Sequence, residues 1–348
     1  MYLRKLMLEN YTVFTHLQMD FSNGINVFIG ENGTGKTHVL KLLYAACQAA
    51  DAKNIFSQKL ITCMLPDEYK IAHLVHQGAL KTNIHIIGAN EDASTYLSLT
   101  FFSDAKKWDS VVGNEPVWER IFAGTESIFI PAKEILSNCY QLGSAVARNN
   151  VRFDDTYLDI IDAAKVDVSK PLSSYMVCEG QESYGYKNKL LQRIEFLIGG
   201  AVLYDAGKDT FYLYDEHEKM EFNLVAEGIR KLALLWQLVK NGALEKGAVL
   251  FWDEPEANMN PTYIASIAEI LLSLQEHGVQ IFVSTHDYLF AKYLEIRQKG
   301  KHSVLFHSLY KKDGNIEYEC GAKFTELKNN AIVSSFNALL DEVYDLGV

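Results

Sequence analysis

Val27-Phe28-Ile29 followed by Gly30-Glu31-Asn32-Gly33-Thr34-Gly35-Lys36-Thr37 constrains this chain more than any other stretch. An apolar strand runs into a G-x-x-x-x-G-K-T loop and then into a helical run, Lys36 through Ala50. The glycines let the backbone curl so that successive N–H groups converge on phosphate oxygens, and the helix presents the positive end of its dipole there. This is the Walker A pattern, with Gly30, Asn32, Gly33, Thr34, Gly35, Lys36 and Thr37 as the nucleotide-contacting set. Lys36 has the reach for the β- and γ-phosphates, and Thr37 the hydroxyl for Mg²⁺.

Gly247-Ala248-Val249-Leu250-Phe251-Trp252 reads as a short apolar strand buried on both faces, ending in Asp253-Glu254-Pro255. This is a Walker B pattern: Asp253 holds the metal, and Glu254 orients the water that attacks the γ-phosphate. A third strand, Gln280 to Val283, ends in Ser284-Thr285-His286-Asp287 and places His286 at the edge of the same sheet. Alone, such a histidine is more often a surface or capping residue. Here three phosphate-chemistry signals sit at the carboxyl ends of strands, where open α/β sheets bind ligands. The expected catalytic residues are Lys36, Glu254 and His286, the metal ligands Thr37 and Asp253, and the cofactors ATP and Mg²⁺.

Glu227-Gly228-Ile229-Arg230-Lys231 lies about twenty residues before the Walker B strand and opens a helix with apolar residues at Leu232, Leu235, Trp236 and Val239. In this order and spacing the chain resembles the ABC-type ATPases, in the compact branch that contains SMC and RecF heads, overcoming-lysogenization-defect proteins and phage-defence ATPases. The resemblance runs along the whole chain. It implies that Asn223 to Gly228 form the signature loop, with Ala226, Glu227 and Gly228 meeting nucleotide held by an opposite subunit. It also implies a D-loop at Glu256 to Pro261 and a switch role for His286. The family has serine where this chain has Ala226, so one donor to the γ-phosphate is missing and slower turnover is expected. Backbone N–H groups and the helix dipole remain. Arg230 and Lys231 either replace the lost charge or form a solvated helix face. Gln77 and Gln141 are the candidates for the Q-loop glutamine.

With 348 residues, 48% apolar content and 12% aromatics, the chain can bury a large core. Cys47, Cys63, Cys139, Cys178 and Cys320 show no paired or metal-ligand spacing and suit buried positions in a reducing compartment. No apolar run approaches the roughly twenty residues a bilayer span needs, and Met1 to Lys5 leads into a strand rather than a signal peptide, so the expected location is cytoplasmic, away from membranes. A net charge of −11 argues against a uniformly nucleic-acid-binding surface and leaves only a local basic groove for such a partner.

Along the chain we expect a strand from Leu3 to Leu8, a hairpin through Asn23-Gly24 into the Walker A strand, antiparallel strands Asn83–Gly88 and Thr95–Phe102, and a buried strand Ser127–Pro131. Roughly 190 residues separate Thr37 from the signature loop, so inserted material is expected there. It contains helices over Lys133–Leu142, Asp154–Ala164 and Lys187–Ile198, with polar breaks at Asn149-Asn150 and Glu179–Tyr186. A meander follows at Ala201–Asp205, Thr210–Asp215 and Met220–Phe222. Strands Ser303–Tyr310 and Ile316–Cys320 flank an Asp313-Gly314 turn, and a helix covers Ala331–Tyr344. The fold class is α/β: an ABC-ATPase head with a mixed central sheet, an N-terminal antiparallel β-subdomain and an inserted helical lid lobe. The division is 1–130 for the N-terminal part with Walker A, 131–200 for the lobe and 201–348 for the C-terminal part.

Sustained heptads are absent, which excludes a long SMC-type arm. The residues after His286 leave no room for an appended Toprim nuclease, so an effector is expected on a separate chain. Two functions follow from the resemblance. One is an ATP-dependent sensor or regulator in a bacterial anti-phage system, similar to the ATPase subunits of Septu-like and retron-associated modules, working as a nucleotide-sandwiched homodimer that controls a nuclease or toxin. The other is a RecF-like recombination ATPase on DNA. The acidic balance favours the first, because Lys133, Lys165, Lys187, Lys189 and Arg193 form no dense basic stripe.

Overall fold

The computed structural model describes residues 1–149, 151–165, 182–215, 218–298 and 304–346. The chain opens with β1 (Tyr2–Tyr11) and β2 (Phe14–Asp20), an antiparallel pair in which Tyr11 faces Phe14 across the turn Thr12-Val13. It crosses to β3 (Ile25–Ile29) and enters α1 (Lys36–Gln48) and α2 (Phe56–Met64). Strands β4 (Lys81–Ala89), β5 (Ser94–Phe102) and β6 (Val111–Gly113) complete a five-stranded antiparallel sheet in the order β2-β1-β4-β5-β6. After α3 (Glu115–Phe122) comes β7 (Ser127–Ile130), followed by α4 (Leu142–Asn149), α5 (Asp155–Lys165) and α6 (Glu182–Ile198). The meander β8 (Ala201–Asp205), β9 (Thr210–Tyr214) and β10 (Lys219–Glu221) leads to α7 (Glu227–Lys240). Then follow β11 (Val249–Asp253), α8 (Pro261–Glu276), β12 (Gln280–Ser284) and α9 (Tyr288–Arg297). The described chain closes with β13 (Val304–Lys312), β14 (Asn315–Gly321) and α10 (Ala331–Leu346).

The central sheet runs β14-β13-β3-β12-β11-β7, parallel from β13 to β7 with β14 antiparallel at one edge. It draws strands from both ends of the chain, as the spacing of the motifs requires. Every residue of β3, β7, β11 and β12 is buried, because helices or a second sheet cover both faces. Val27, Ile29, Leu250, Trp252, Ile281 and Val283 share one core with α5, α6, α7 and α8. Phe28, Phe129, Val249, Phe251 and Phe282 share the other with α1 and the antiparallel sheet. Four of these rings form a row across the strands: Phe129 to Phe251 at 6.4 Å, Phe251 to Phe282 at 5.1 Å and Phe282 to Phe28 at 6.4 Å. Such pairs add about 0.5–1.5 kcal/mol each beyond their buried area.

Several expectations need correction. Asn23-Gly24 makes no hairpin, since β2 and β3 belong to different sheets. The segment is a crossover corner held by Asn26, whose side chain accepts from Ser22 N at 2.8 Å and donates to Ser22 O at 2.9 Å. A strand buried on both faces takes parallel neighbours, so the hairpin sits earlier, between β1 and β2. Lys133–Leu142 is not a helix: it holds a single 3₁₀ turn at Leu136–Asn138, Gln141 has φ 51°, and α4 begins only at Leu142. The Glu134 carboxylate is committed to Arg230 instead. The polar stretch from Glu182 onward is already part of α6, whereas Asn150, Cys178, residues 179–181 and Ser303 lie outside the described residues. Cys47, Cys63 and Cys139 are buried, but Cys320 is exposed. Among the described residues no helix is long and apolar enough to cross a membrane.

Gln280 joins the two large sheets. Fully buried, it accepts from Leu3 N and donates to Leu3 O, both at 2.8 Å, and donates to Ser22 O at 2.8 Å. Its amide thus completes the backbone pairing of β1 at Leu3, on the side that β2 does not reach. Gln280→Leu keeps the volume but leaves Leu3 N and Leu3 O without their Gln280 partners, at an expected cost of about 2–4 kcal/mol in folding stability. Urea denaturation checks this, and a loss below roughly 0.5 kcal/mol would show that the junction is held by other contacts.

Candidate nucleotide site

The carboxyl ends of β3, β11 and β12 bring the motif residues together. Gly30, Gly33 and Gly35 have φ values of 145°, 80° and 90°. Only glycine fits at two of them: a Cβ at Gly30 would stand 2.1 Å from Leu309 O, and one at Gly35 2.5 Å from the Phe14 ring. The β1–β2 hairpin therefore packs directly under the loop. Thr34 is buried and its hydroxyl donates to Glu31 O at 2.8 Å, closing the loop on itself, while Asn32 is exposed. Lys36, 6% exposed, lies across the loop and donates from Nζ to Gly30 O at 2.8 Å and Glu31 O at 2.9 Å. Burial pulls its ammonium down to about 8, against the raising influence of Asp253, Glu254 and Glu256.

The Thr37 hydroxyl donates to Asp253 Oδ2 at 2.9 Å, so both expected metal ligands face each other. The Ser284 hydroxyl donates to the other carboxylate oxygen, Oδ1. This donor set is all oxygen, which suits Mg²⁺. Glu254 adopts φ 48°, a left-handed conformation costing on the order of 1–3 kcal/mol for such a residue. Its amide is held by Ser284 O at 3.1 Å and Ser284 Oγ at 3.2 Å. Across from it, His286 Nε2 stands 3.6 Å from Glu254 Oε1. Burial first, and then Lys36, holds the His286 imidazole below its ordinary value, with Glu254 and Asp253 pulling the other way.

The signature segment lies at the start of α7. Ala226 is its N-cap, exposed and with no side-chain cap, which leaves the first-turn N–H groups open. Glu227 accepts from Asn258 Nδ2 at 3.0 Å, and a Cβ on Gly228 would meet Met259 Sδ at 2.9 Å. The loop after β11 is therefore packed against α7 within the same chain. Arg230 and Lys231 do neither of the things expected of them. Arg230 bonds Glu134 Oε2 at 2.6 Å and Val225 O at 2.6 Å. Lys231, 1% exposed, donates to Ala257 O at 2.7 Å and Glu254 O at 3.5 Å, and burial lowers its pKa. Both cations are spent on internal carbonyl and carboxylate groups, so neither is a solvated face nor free to meet phosphate.

Gln77 is exposed before β4, and Gln141, exposed at the start of α4, donates its backbone N–H to Asp209 at 2.7 Å. No contact between described residues brings either to Thr37 or Asp253. Ser284 and Lys231 are site residues to which sequence reasoning gave no such task. A hydroxyl at the last position of the buried run of β12 was the available signal for Ser284. None existed for Lys231, whose partners lie on another element.

Two family models match the chain: "AAA ATPase domain" over residues 1–99, and "AAA domain, putative AbiEii toxin, Type IV TA system" over residues 152–291. The DNA replication and repair protein RecF of Clostridium botulinum (strain Eklund 17B / Type B) is 36% identical over 86 residues, which is 25% of this chain and 24% of that protein. The chain thus spans about a quarter of the length of that curated relative. In fold it is similar to an Smc head bound to the C-winged helix domain of ScpA, with TM-score 0.59, 14% identity, and 92% of this chain and 98% of that one covered. An Smc head with an extended coiled coil, bound to the C-terminal domain of ScpA derived from Pyrococcus furiosus, gives TM-score 0.55 at 12% identity, covering 99% of both chains. The phosphate loop on this sheet, the two partial ATPase family matches and the head-like fold make the chain similar to the ABC-type ATPases of the SMC and RecF kind.

Proposed function

We propose that the chain binds and slowly hydrolyses Mg²⁺–ATP in a head-to-tail homodimer, and that this cycle controls a separate effector in an anti-phage system. The residues fit the cofactor: Thr37 and Asp253 already pair two oxygen ligands, and the Lys36 ammonium lies across the loop on its Gly30 and Glu31 carbonyls. Bound Mg²⁺ would supply charge neutralisation at the phosphates. Lys36 exchanges its loop carbonyls for phosphate oxygens. Glu254 orients the water, and His286 beside it fixes the carboxylate and faces the γ-phosphate position. Ala226, Glu227 and Gly228 meet the partner subunit's nucleotide through backbone N–H groups.

The observation that carries the switching part is the tie between α7 and the loop after β11. Lys231 to Ala257 O and Glu227 to Asn258 oblige the signature end and Glu254 to move together. Of the lobe proposed at 131–200, α6 follows, because its Glu195 accepts from Trp236 Nε1 of α7 at 3.0 Å. The model description naming an AbiEii toxin and a type IV toxin–antitoxin system supports a toxic or abortive output, a reading in which the protein stays cytoplasmic. The RecF similarity supports the second reading, a DNA-repair ATPase. Co-purification with products of neighbouring genes against duplex-DNA binding decides between them: an effector whose binding changes ATP affinity favours the first, and salt-sensitive DNA binding without a protein partner favours the second.

Lys36→Ala is expected to abolish ATP binding, whereas Glu254→Gln keeps binding and lowers hydrolysis by about 10²-fold or more. Equal affinities of wild type and Lys36→Ala by calorimetry would sink the assignment. With the free Lys36 near 8 and phosphate favouring its charged form, binding at pH 8–9 should take up a proton and weaken as pH rises further. Calorimetry in buffers of different ionisation enthalpy reads that uptake. Lys36→Ala cannot report it, so Lys36→Arg, charged throughout, should show none.

Ala226→Ser restores both a helix cap and a donor. It should raise stability by about 0.5–1 kcal/mol and strengthen the ATP-dependent dimer of Glu254→Gln protein several-fold. Sedimentation at equal mass for apo and ATP-bound forms of both variants would rule out closure across composite sites.

A further inference from the structure

Glu256 lies three residues beyond Asp253, in the loop after β11. Its Oε1 accepts from the Thr285 hydroxyl at 2.6 Å and from the His286 backbone N–H at 3.0 Å. The Thr285 oxygen in turn accepts from Asp287 N at 3.0 Å. One carboxylate oxygen therefore holds the Thr285 side chain and the His286 backbone N–H, the two groups next to the point from which the His286 side chain leaves. Oε2 is shut off from water and has no hydrogen-bond partner among the described residues. Burial pushes the carboxyl up, against the opposing pull of those hydrogen bonds.

Burying an acid on a loop is costly, and ordinary structural needs do not account for it here. The start of α9 has its own cap, since Asp287 accepts from Phe290 N at 2.5 Å. The β11–β12 pairing is complete up to Asp253 and Ser284 without Glu256. What remains for Glu256 to do is set the direction of His286, whose Nε2 stands 3.6 Å from Glu254 Oε1. We propose that Glu256 is a positioning residue: by holding Thr285 Oγ1 and His286 N it keeps the imidazole against Glu254, and so sets the rate of hydrolysis without touching nucleotide. This rests on the roles given above to Glu254 and His286. It is the acceptor geometry of Oε1 that matters, so a side-chain amide serves as well as a carboxylate.

The test uses the full chain as wild type, Glu256→Ala, Glu256→Gln, His286→Ala and the double variant Glu256→Ala/His286→Ala. Steady-state ATP hydrolysis is measured alongside the ¹H–¹³C resonance of the His286 ring, identified by its loss in His286→Ala. Glu256→Ala should lower kcat about 10–100-fold with KM changed less than about threefold, while Glu256→Gln stays within about threefold of wild type. In the His286→Ala background Glu256→Ala should add less than about twofold, because both act through one group. The His286 resonance should move in Glu256→Ala and stay in Glu256→Gln. Additive losses, a Glu256→Gln enzyme as slow as Glu256→Ala, or an unmoved resonance in Glu256→Ala each overturn the proposal. If wild type shows no hydrolysis, the enzymatic reading fails, and the resonance still decides whether Glu256 holds the ring. Should Glu256→Ala not fold, Thr285→Val removes one of the two bonds, and a partial kcat loss that disappears in His286→Ala is the supporting result; no loss overturns it.

Discussion

One carboxylate organises this molecule. Asp253 ends β11, and its two oxygens accept from Thr37 at the head of α1 and from Ser284 at the end of β12. Strands β11 and β12 and the helix that follows β3 are thereby locked together by a group that is itself 9% exposed. A buried anion is tolerated only when it is paired or ligated. Two hydroxyl donors satisfy its oxygens without neutralising its charge, which is the state a metal ligand needs. Lys36 supplies the nearby cation, and its lowered pKa reflects burial more than any lack of acidic neighbours.

The same junction holds Glu254 in an unfavourable backbone conformation. A residue before proline already avoids the helical region, and Glu254 goes further, to φ 48°. Ser284 supplies both hydrogen bonds to its amide, so the serine that completes Asp253 also fixes Glu254. Strain of this kind persists only where the surroundings over-determine it. Here it aims a carboxylate at the place where His286 also points.

What could be read directly from the sequence was local. Each apolar run lies directly before its own glycine loop, acidic pair or Ser-Thr-His end, so β3, β11 and β12 and their terminal residues are legible without tertiary information. The parallel sheet follows from where those motifs fall. Misreadings came where the deciding partner is remote. Glu134 and Arg230 are 96 positions apart, and their ion pair replaces a helix that the composition of Lys133–Leu142 favours. Asn23-Gly24 has the chemistry of a hairpin turn, but Asn26 and Gln280 recruit Ser22 into a crossover instead. Lys231 has the periodicity of a boundary position on α7 and is buried because carbonyls of the loop after β11 come to meet it.

That last burial bears on how the signature end can work. Arg230 is paired with Glu134 and Lys231 is held by backbone carbonyls inside their own chain, and Ala226 offers no hydroxyl. The exposed end of α7 is therefore left with backbone N–H groups and the helix dipole, together worth less than a charged or hydroxyl donor and more sensitive to alignment. Alignment is what the internal contacts provide: Gly228 packs against Met259 with no space for a Cβ, and Glu227 is drawn aside to Asn258 instead of lying over the helix end. An end built this way gains little from loose approach of phosphate and much from a fixed one. In the proposed dimer, closure of a composite site would then depend on the loop after β11 already being set.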